Sequence, residues 1–176
     1  MFWSDVNIDP KRSFRWLFHL PNIIHPYLVR SVKKPSFSVG NIAHQFVNHT
    51  FYYPGRVNWN PVDVTLVDPA GGGDSANAVG DDTSMTLLQA IYDSGYKDPS
   101  TDGAEGMYSS ISKFRSTAVL GTPIIEQIDG FGRTVEEWTL HNAWCENVDF
   151  GSLDYGSEEM ISVSMTIRYD WASLST

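Results

Sequence analysis

Hydrophobic and polar residues alternate with a period of two along much of the chain, which predicts β-strands. The same alternation predicts strands over residues 14–20 and 62–66, and a hairpin over residues 124–140 with a glycine-supported turn. The clearest run lies near the C-terminus, where five apolar residues alternate with polar ones: Ile161, Val163, Met165, Ile167 and Tyr169. Such a strand buries one face and leaves the other to solvent or to a partner.

A helical period is clearest between residues 83 and 95, after the possible capping residues Asp82 and Thr83. It predicts one helix with an anchoring face formed by four residues: Leu87, Leu88, Ile91 and Tyr92. Aromatic residues on both sides of the turn dipeptide Pro54-Gly55 predict a hairpin or protruding loop within residues 46–60. The overall prediction is a mainly antiparallel β fold with one flanking helix.

The length of 176 residues fits a single domain over residues 1–176. Segments rich in Gly, Asp and Ser at residues 68–82 and 98–106 predict surface loops, and residues 1–12 are expected to form an N-terminal arm. Residues 43–56 are predicted to protrude. No window approaches the roughly 18 uncharged apolar residues that a membrane span needs, so we expect no membrane span.

Charge is distributed unevenly along the chain. Residues 1–60 carry seven Lys or Arg against two Asp, a net of +5, whereas the remainder has five basic and nineteen acidic residues, a net of −14. This separation favours head-to-tail self-association, although two unrelated solvated faces would give the same totals. The aromatic, basic first third is also compatible with nucleic-acid binding, but its cations are dispersed. The single cysteine excludes an internal disulfide and makes a reducing compartment such as the cytosol the default.

No pattern of reactive residues specifies a catalytic or metal site. None of the five histidines has the His-Glu-x-x-His spacing, and His44 and His49 fall on opposite faces of an extended strand. The acidic pairs at 136–137 and 158–159 are sequence neighbours that point to opposite faces. Cys145 has no basic neighbour that would lower its pKa. We therefore expect no catalytic role, no cofactor and no metal.

Four segments, in this order, resemble the tail tube protein of contractile-tailed bacteriophages. They are residues 52–56 with 59–61 (YYPGR and WNP), 87–96 (LLQAIYDSGY), 136–155 (containing EEWTLHNAW and FGSLDYGS) and 166–172 (TIRYDWA). The resemblance covers nearly the whole chain and departs from the family in the loops at residues 70–82 and 98–106.

The resemblance implies an antiparallel β-sandwich or half-barrel subunit in hexameric rings, which form a continuous β-barrel and stack into a hollow tube inside a contractile sheath. It implies as partners copies of the same chain, the tail sheath protein, and baseplate and tail-terminator proteins, with assembly in the host cytoplasm and residence in the virion tail. Double-stranded DNA would pass transiently without specific binding. If each of six subunits lends four strands, the barrel has a circumference of about 150 Å and a lumen about 40 Å wide.

Two alternatives stay open at this point. The first is a tube initiator, a tube terminator or a secretion-system tube of the same fold. The second is a monomeric β-sandwich that acts as an enzyme or a ligand-binding module. Sedimentation separates the second from the others, because it requires a monomer at all concentrations.

Within the resemblance, ring-to-ring stacking is expected to use exposed aromatic and polar residues of the arm and of the protruding segment: Phe2, Trp3, Phe46, His49, Phe51, Tyr52, Tyr53 and Arg56. Lys11, Arg12 and Arg56 are expected to meet acidic groups such as Asp63 or Asp129 across the ring boundary. The residues expected to line the lumen or its rim are Glu126, Ser162, Ser164 and Thr166. The alternation leaves open which face of the 124–140 hairpin points inward.

Overall fold

The computed structural model describes residues 9–21, 23–69, 82–99 and 108–176. None of the helices within these ranges is long and apolar enough to cross a membrane. The described strands and helices are β1 (Trp16–His19), β2 (Val29–Val32), β3 (Ser36–Phe46), β4 (His49–Asn60), β5 (Val62–Val67), α1 (Thr83–Asp93), α2 (Lys113–Leu120), β6 (Ile124–Ile128), β7 (Thr134–His141), β8 (Trp144–Asp149), β9 (Ser162–Arg168) and β10 (Trp171–Ser175), with a one-turn 3-10 helix at Pro26–Leu28.

Eight of the strands form two four-stranded antiparallel sheets. The first sheet has the order β1–β6–β7–β10, and the second has the order β2–β5–β9–β8. One face of each sheet is apolar, and the two apolar faces meet in a single core. Phe18, Ile125 and Leu140 enter this core from the first sheet, and Val64 and Met165 enter it from the second. The sheets therefore form a sandwich whose outer faces point in opposite directions.

The alternating patterns predicted most of these strands correctly. The β6–β7 hairpin forms as expected, with its turn held by Asp129 Oδ1, which accepts hydrogen bonds from the backbone N–H groups of Phe131 and Arg133. In β9 the apolar residues are buried and the intervening Ser164 is exposed. The expected strand over residues 14–20 is shorter, because Phe14 lies in a turn before β1 and is 73% exposed.

The predicted helix is confirmed as α1, which begins after Asp82, whose side chain accepts a hydrogen bond from Met85 N at 2.8 Å. The predicted anchoring face is wrong at one position: Leu87 is buried, whereas Leu88 lies one residue further round the helix and is 38% exposed. The described residues also form two α-helices rather than the one predicted. The pattern missed α2 because it is only eight residues long and its bulkiest apolar residue, Phe114, faces solvent.

The remaining strands, β3 and β4, pair only with each other and form a long hairpin over residues 36–60. Its turn lies at Val47-Asn48, where Val47 has a φ of 49°. The predicted turn at Pro54-Gly55 is therefore wrong, as are the bounds 43–56 of the protruding segment. Residues 54 and 55 lie within β4, beside a register shift that makes a β-bulge opposite Gly40.

The bulge explains why a glycine stands at position 55. A Cβ added there would lie 3.0 Å from the carbonyl oxygen of Gly40, which is closer than side chains normally approach backbone. A Gly-Gly contact thus brings the two strands together where the register changes.

Several sequence predictions fall on parts of the chain outside the described residues. These include Phe2 and Trp3 of the N-terminal arm and most of the loops predicted at residues 68–82 and 98–106.

Candidate subunit interfaces

The long hairpin is the main exposed apolar feature of the described structure. At about 3.4 Å per residue, its 11- and 12-residue strands project about 37 Å. Along β3 and β4, side chains between Phe37 and Asn58 are all exposed. The exposed large apolar ones are Phe37, Val39, Ile42, Phe46, Val47, Phe51, Tyr52, Tyr53 and Val57, at 48–86% exposure. A two-stranded hairpin of this length cannot bury these groups by itself.

The register of the hairpin sorts its apolar side chains onto two faces. Near the sandwich, the directly paired residues Phe37 with Trp59 and Val39 with Val57 share one face, which we call the base strip. Beyond the bulge, the pairs Ile42 with Tyr53 and His44 with Phe51, together with Phe46, share the opposite face. We call Ile42, Phe46, Phe51 and Tyr53 the tip strip. Because β3 runs without an extra residue, positions 39 and 42 point to opposite faces.

The base strip begins on the sandwich itself. The ring of Trp59 lies 6.0 Å from that of Tyr169, which is buried, and 5.3 Å from the ring of Phe37. The body of the subunit thus covers part of Trp59, and the strip continues outward through Val39 and Val57, which the described residues leave exposed.

A buried carboxylate ties the hairpin base to the first sheet. Glu136 on β7 has a side chain only 10% exposed, and its carboxylate accepts hydrogen bonds from Lys11, from Lys34 Nζ at 2.6 Å and from Trp138 Nε1 at 2.6 Å. Lys34, two residues before β3, also donates to Gln127 Oε1 at 2.6 Å. Burial alone would raise the pKa of Glu136, but these donors outweigh it and lower the pKa from 4.5 to about 2.

The outer face of the second sheet is polar, and hydrogen bonds join its side chains across strands. Three contacts cross it: Arg30 Nη1 donates to Ser162 Oγ at 3.2 Å, Thr166 Oγ1 donates to Asp63 Oδ1 at 3.1 Å, and Arg168 donates two hydrogen bonds to Glu146 at 2.8 and 3.1 Å. Ser164 lies among these groups and is exposed. A face built in this way is polar and carries charges of both signs.

The outer face of the first sheet carries exposed apolar side chains among its polar ones. Leu17 is 39% exposed and Trp171 is 47% exposed, with Ile124 half-buried between the strands. Glu126 lies on this face, with its Oε2 atom 3.6 Å from Nε2 of His19. The two sheets therefore present chemically different outer surfaces.

These positions separate two sets of residues that the sequence grouped together. Glu126 lies on the outer face of the first sheet, whereas Ser162, Ser164 and Thr166 lie on that of the second. Because the two faces point in opposite directions, both sets cannot line the same wall. The lumen assignment can hold for only one of them.

The candidate stacking residues 46, 49, 51, 52, 53 and 56 all lie on the hairpin and are exposed. Most of the charged residues predicted to pair across the ring boundary have partners within the same chain. Lys11 is bonded to Glu136, and Arg12 lies 3.8 Å from Asp9. Asp63 accepts its hydrogen bond within the same chain, and Asp129 holds its own turn. Of the three cations predicted to meet a neighbouring ring, Arg56 is the one that lies on the hairpin.

Sequence reasoning missed the inner half of the hairpin. Phe37, Val39 and Ile42 belong to the same exposed apolar surface as the predicted tip residues, but they precede the predicted segment. The alternation of Phe37 and Val39 with serines indicates a strand that begins near residue 36. The predicted turn at Pro54-Gly55 obscured this strand.

Reactive groups do not converge on this surface. Within the described ranges, no three His, Cys, Asp or Glu side chains are placed to hold a metal ion. Burial raises the pKa of the half-buried Cys145 thiol to about 11, and the S–H group donates a weak hydrogen bond to the carbonyl oxygen of Asn147. Its thiol is therefore protonated at neutral pH.

Comparison with known protein families found no matching family model, and comparison with curated proteins found no match. Solved structures are similar over nearly the whole chain. One is the cryo-EM structure of an extracellular contractile injection system described as the PVC sheath/tube terminator in the extended state (TM-score 0.65, 15% identity, 96% of this chain and 99% of that one).

Two further cryo-EM structures come from the anti-feeding prophage. Its tube-terminating cap matches with a TM-score of 0.62 at 15% identity, over 99% of this chain and 97% of that one. Its 6-fold symmetrised baseplate matches with a TM-score of 0.61 at 15% identity, over 96% and 97%. At this identity the similarity shows the fold. The predicted mainly β, antiparallel fold of tail-tube type is thus confirmed, with two helices.

Proposed function

We propose that this chain is a structural subunit of a tube, in which homohexameric rings stack into a hollow conduit inside a contractile sheath. In this proposal its partners are copies of itself, the sheath protein, and the baseplate and terminator proteins of the same particle. It has no catalytic role and needs no cofactor. The observation that carries the proposal is the long hairpin, whose exposed apolar side chains require a covering surface in an assembled particle.

The ends of the two sheets support ring formation. Each sheet has two edge strands, β1 and β10 in the first and β2 and β8 in the second. Unpaired edges are an aggregation risk in a monomer, but in a closed ring the edges of neighbouring subunits can pair. Four strands per sheet agree with the count that gives a lumen about 40 Å wide, which is wider than a DNA duplex.

We assign the lumen wall to the outer face of the second sheet. Ser162, Ser164 and Thr166 lie there, and Ser162 and Thr166 are hydrogen-bonded to Arg30 and Asp63 of the same chain. A polar wall with charges of both signs does not attract phosphate strongly and presents little apolar surface to a passing cargo. In this arrangement Glu126 faces outward with Leu17 and Trp171, on the side available to the sheath.

Two kinds of particle fit this role. In a phage tail, assembled in the host cytoplasm and carried on the virion, the cargo is double-stranded DNA that passes without specific binding. In the second, the chain is a tube or tube-end component of an injection or secretion particle. The fold is similar to structures of an extracellular contractile injection system and of the anti-feeding prophage, so we consider this second candidate alongside the first.

Electron microscopy of hairpin variants tests the stacking role. Replacing Phe51 and Tyr52 with Ser removes two exposed apolar groups that make no described core contact, so the subunit should keep its melting temperature and lose tube growth. The matched control replaces Thr50 and Asn58, exposed polar residues of the same strand, with Ser. Parental and Phe51→Ser/Tyr52→Ser proteins that grow tubes equally well would overturn the stacking role.

Chemical labelling tests the lumen assignment. In a Cys145→Ala background, Ser164→Cys and Glu126→Cys proteins are assembled and treated with maleimide-coated gold particles wider than the lumen. Gold should bind along tubes that carry Cys at position 126 and should be excluded from those that carry it at position 164, while a small maleimide reacts with both. Gold along the Ser164→Cys tubes would contradict the assignment.

A further inference from the structure

The long hairpin carries exposed apolar side chains on one face in its inner half and on both faces in its outer half. In the inner half the base strip occupies one face, while the opposite face carries polar Ser38 and Asn58. In the outer half the tip strip occupies that opposite face, and the face continuous with the base strip carries exposed Tyr52 together with Asn41, Gln45 and Thr50. The apolar surface that needs a cover therefore lies on two opposite faces of the hairpin.

Each strip is large enough to require a partner. With aromatic side chains of about 150–250 Å² about half exposed, the tip strip contributes roughly 400 Å² of apolar area, and the base strip, which includes Val39 and Val57, contributes roughly 300 Å². That is the size of the largest apolar patch on an ordinary monomer, and such patches mark interaction sites. Together the strips approach the roughly 800 Å² that each partner contributes to a standard protein interface.

Charge indicates what the partner is. The hairpin contains Arg56, His44 and His49 but no acidic residue, whereas residues 61–176 carry a net charge of −14. A second copy of this chain is therefore complementary to the hairpin in charge, and it exposes apolar surface of its own.

We infer that each hairpin inserts between two different copies of the chain, one packed on the base strip and the other on the tip strip. The inference rests on the proposed tube and specifies how its rings are joined. A single neighbour on one side reaches one strip only, because the strips face opposite ways. The hairpin then contacts two neighbouring subunits at once, so that loss of either contact weakens the interface between rings.

Photo-crosslinking with diluted label tests this inference. The photoreactive amino acid benzoylphenylalanine is placed at position 57 in the base strip, at position 53 in the tip strip, or at both. These positions have matched exposures of 55% and 57% and lie on the same strand. A small minority of labelled chains is assembled with an excess of unlabelled chains, so that each labelled hairpin has only unlabelled neighbours. Position 58, on the polar side of the hairpin base, is the control site.

Each single label at position 53 or 57 should give two-chain products, the double label should add a three-chain product, and position 58 should give little of either. The inference is overturned if the double label gives only two-chain products in assembled tubes, or if either strip fails to crosslink. Neither of these results would contradict the proposed tube. A parental chain that remains monomeric and gives no crosslink at any site overturns the proposed function together with the inference.

Discussion

Removing the buried carboxylate of Glu136 should weaken the subunit in a way that depends on pH. A pKa lowered from 4.5 to about 2 corresponds to about 3 kcal/mol at about 1.4 kcal/mol per pKa unit. The partner lysines are about half exposed, with side-chain values of 50% for Lys11 and 47% for Lys34, so solvent screening reduces this. We expect Glu136→Gln to lower the free energy of unfolding by about 2 kcal/mol at pH 7.

The sign of the pH dependence follows from the lowered pKa. The ionised carboxylate stabilises the folded state fully above about pH 4.5, and this stabilisation is lost as the pH falls towards 2. The difference between parent and Glu136→Gln, measured by urea unfolding at a series of pH values, should therefore shrink across that window.

The control is Glu137→Gln, which alters the next residue on the opposite face of β7. Glu137 accepts a hydrogen bond from Ser175 Oγ at 3.3 Å, and its replacement should change stability by no more than about 0.5 kcal/mol. A Glu136→Gln variant as stable as the parent at pH 7, or a deficit that stays constant down to pH 2, would refute the reasoning.

Three further outcomes are expected from the same structure. Leu87→Ala should cost about 2–5 kcal/mol in thermal or urea unfolding, whereas Leu88→Ala, at a 38% exposed site, should cost less than about 1 kcal/mol; equal effects would contradict the assigned helix face. Gly55→Ala should speed amide hydrogen exchange in the hairpin without lowering the melting temperature, and unchanged exchange would show that the bulge tolerates a Cβ. The thiol of Cys145 should react with a disulfide reagent at pH 8 about 100-fold more slowly in the folded protein than in urea, and equal rates would argue against its raised pKa.

Local patterns predicted the elements whose faces differ sharply in polarity. Strand β9 alternates strictly and buries Val163, Met165 and Ile167, and helix α1 starts at the expected acidic cap. Such features depend on near neighbours in the chain, which a sequence displays directly.

Patterns failed where distant parts of the chain decide the structure. Pro54-Gly55 has the composition of a turn, yet the approach of Gly40 from the other strand makes Gly55 part of a bulge. The ion cluster on Glu136 joins residues more than 100 positions apart, so nothing in the local sequence indicates it. The separation of Glu126 from Ser164 likewise depends on how the two sheets pack.

The central claim is that this chain assembles through its hairpin into stacked rings. Electron microscopy of the purified protein over a range of concentrations tests it most directly. We predict end-on views with six-fold symmetry and a lumen about 40 Å wide, and side views of rings stacked into tubes. A protein that stays monomeric at every concentration, or that forms closed assemblies without a central channel, would contradict the claim.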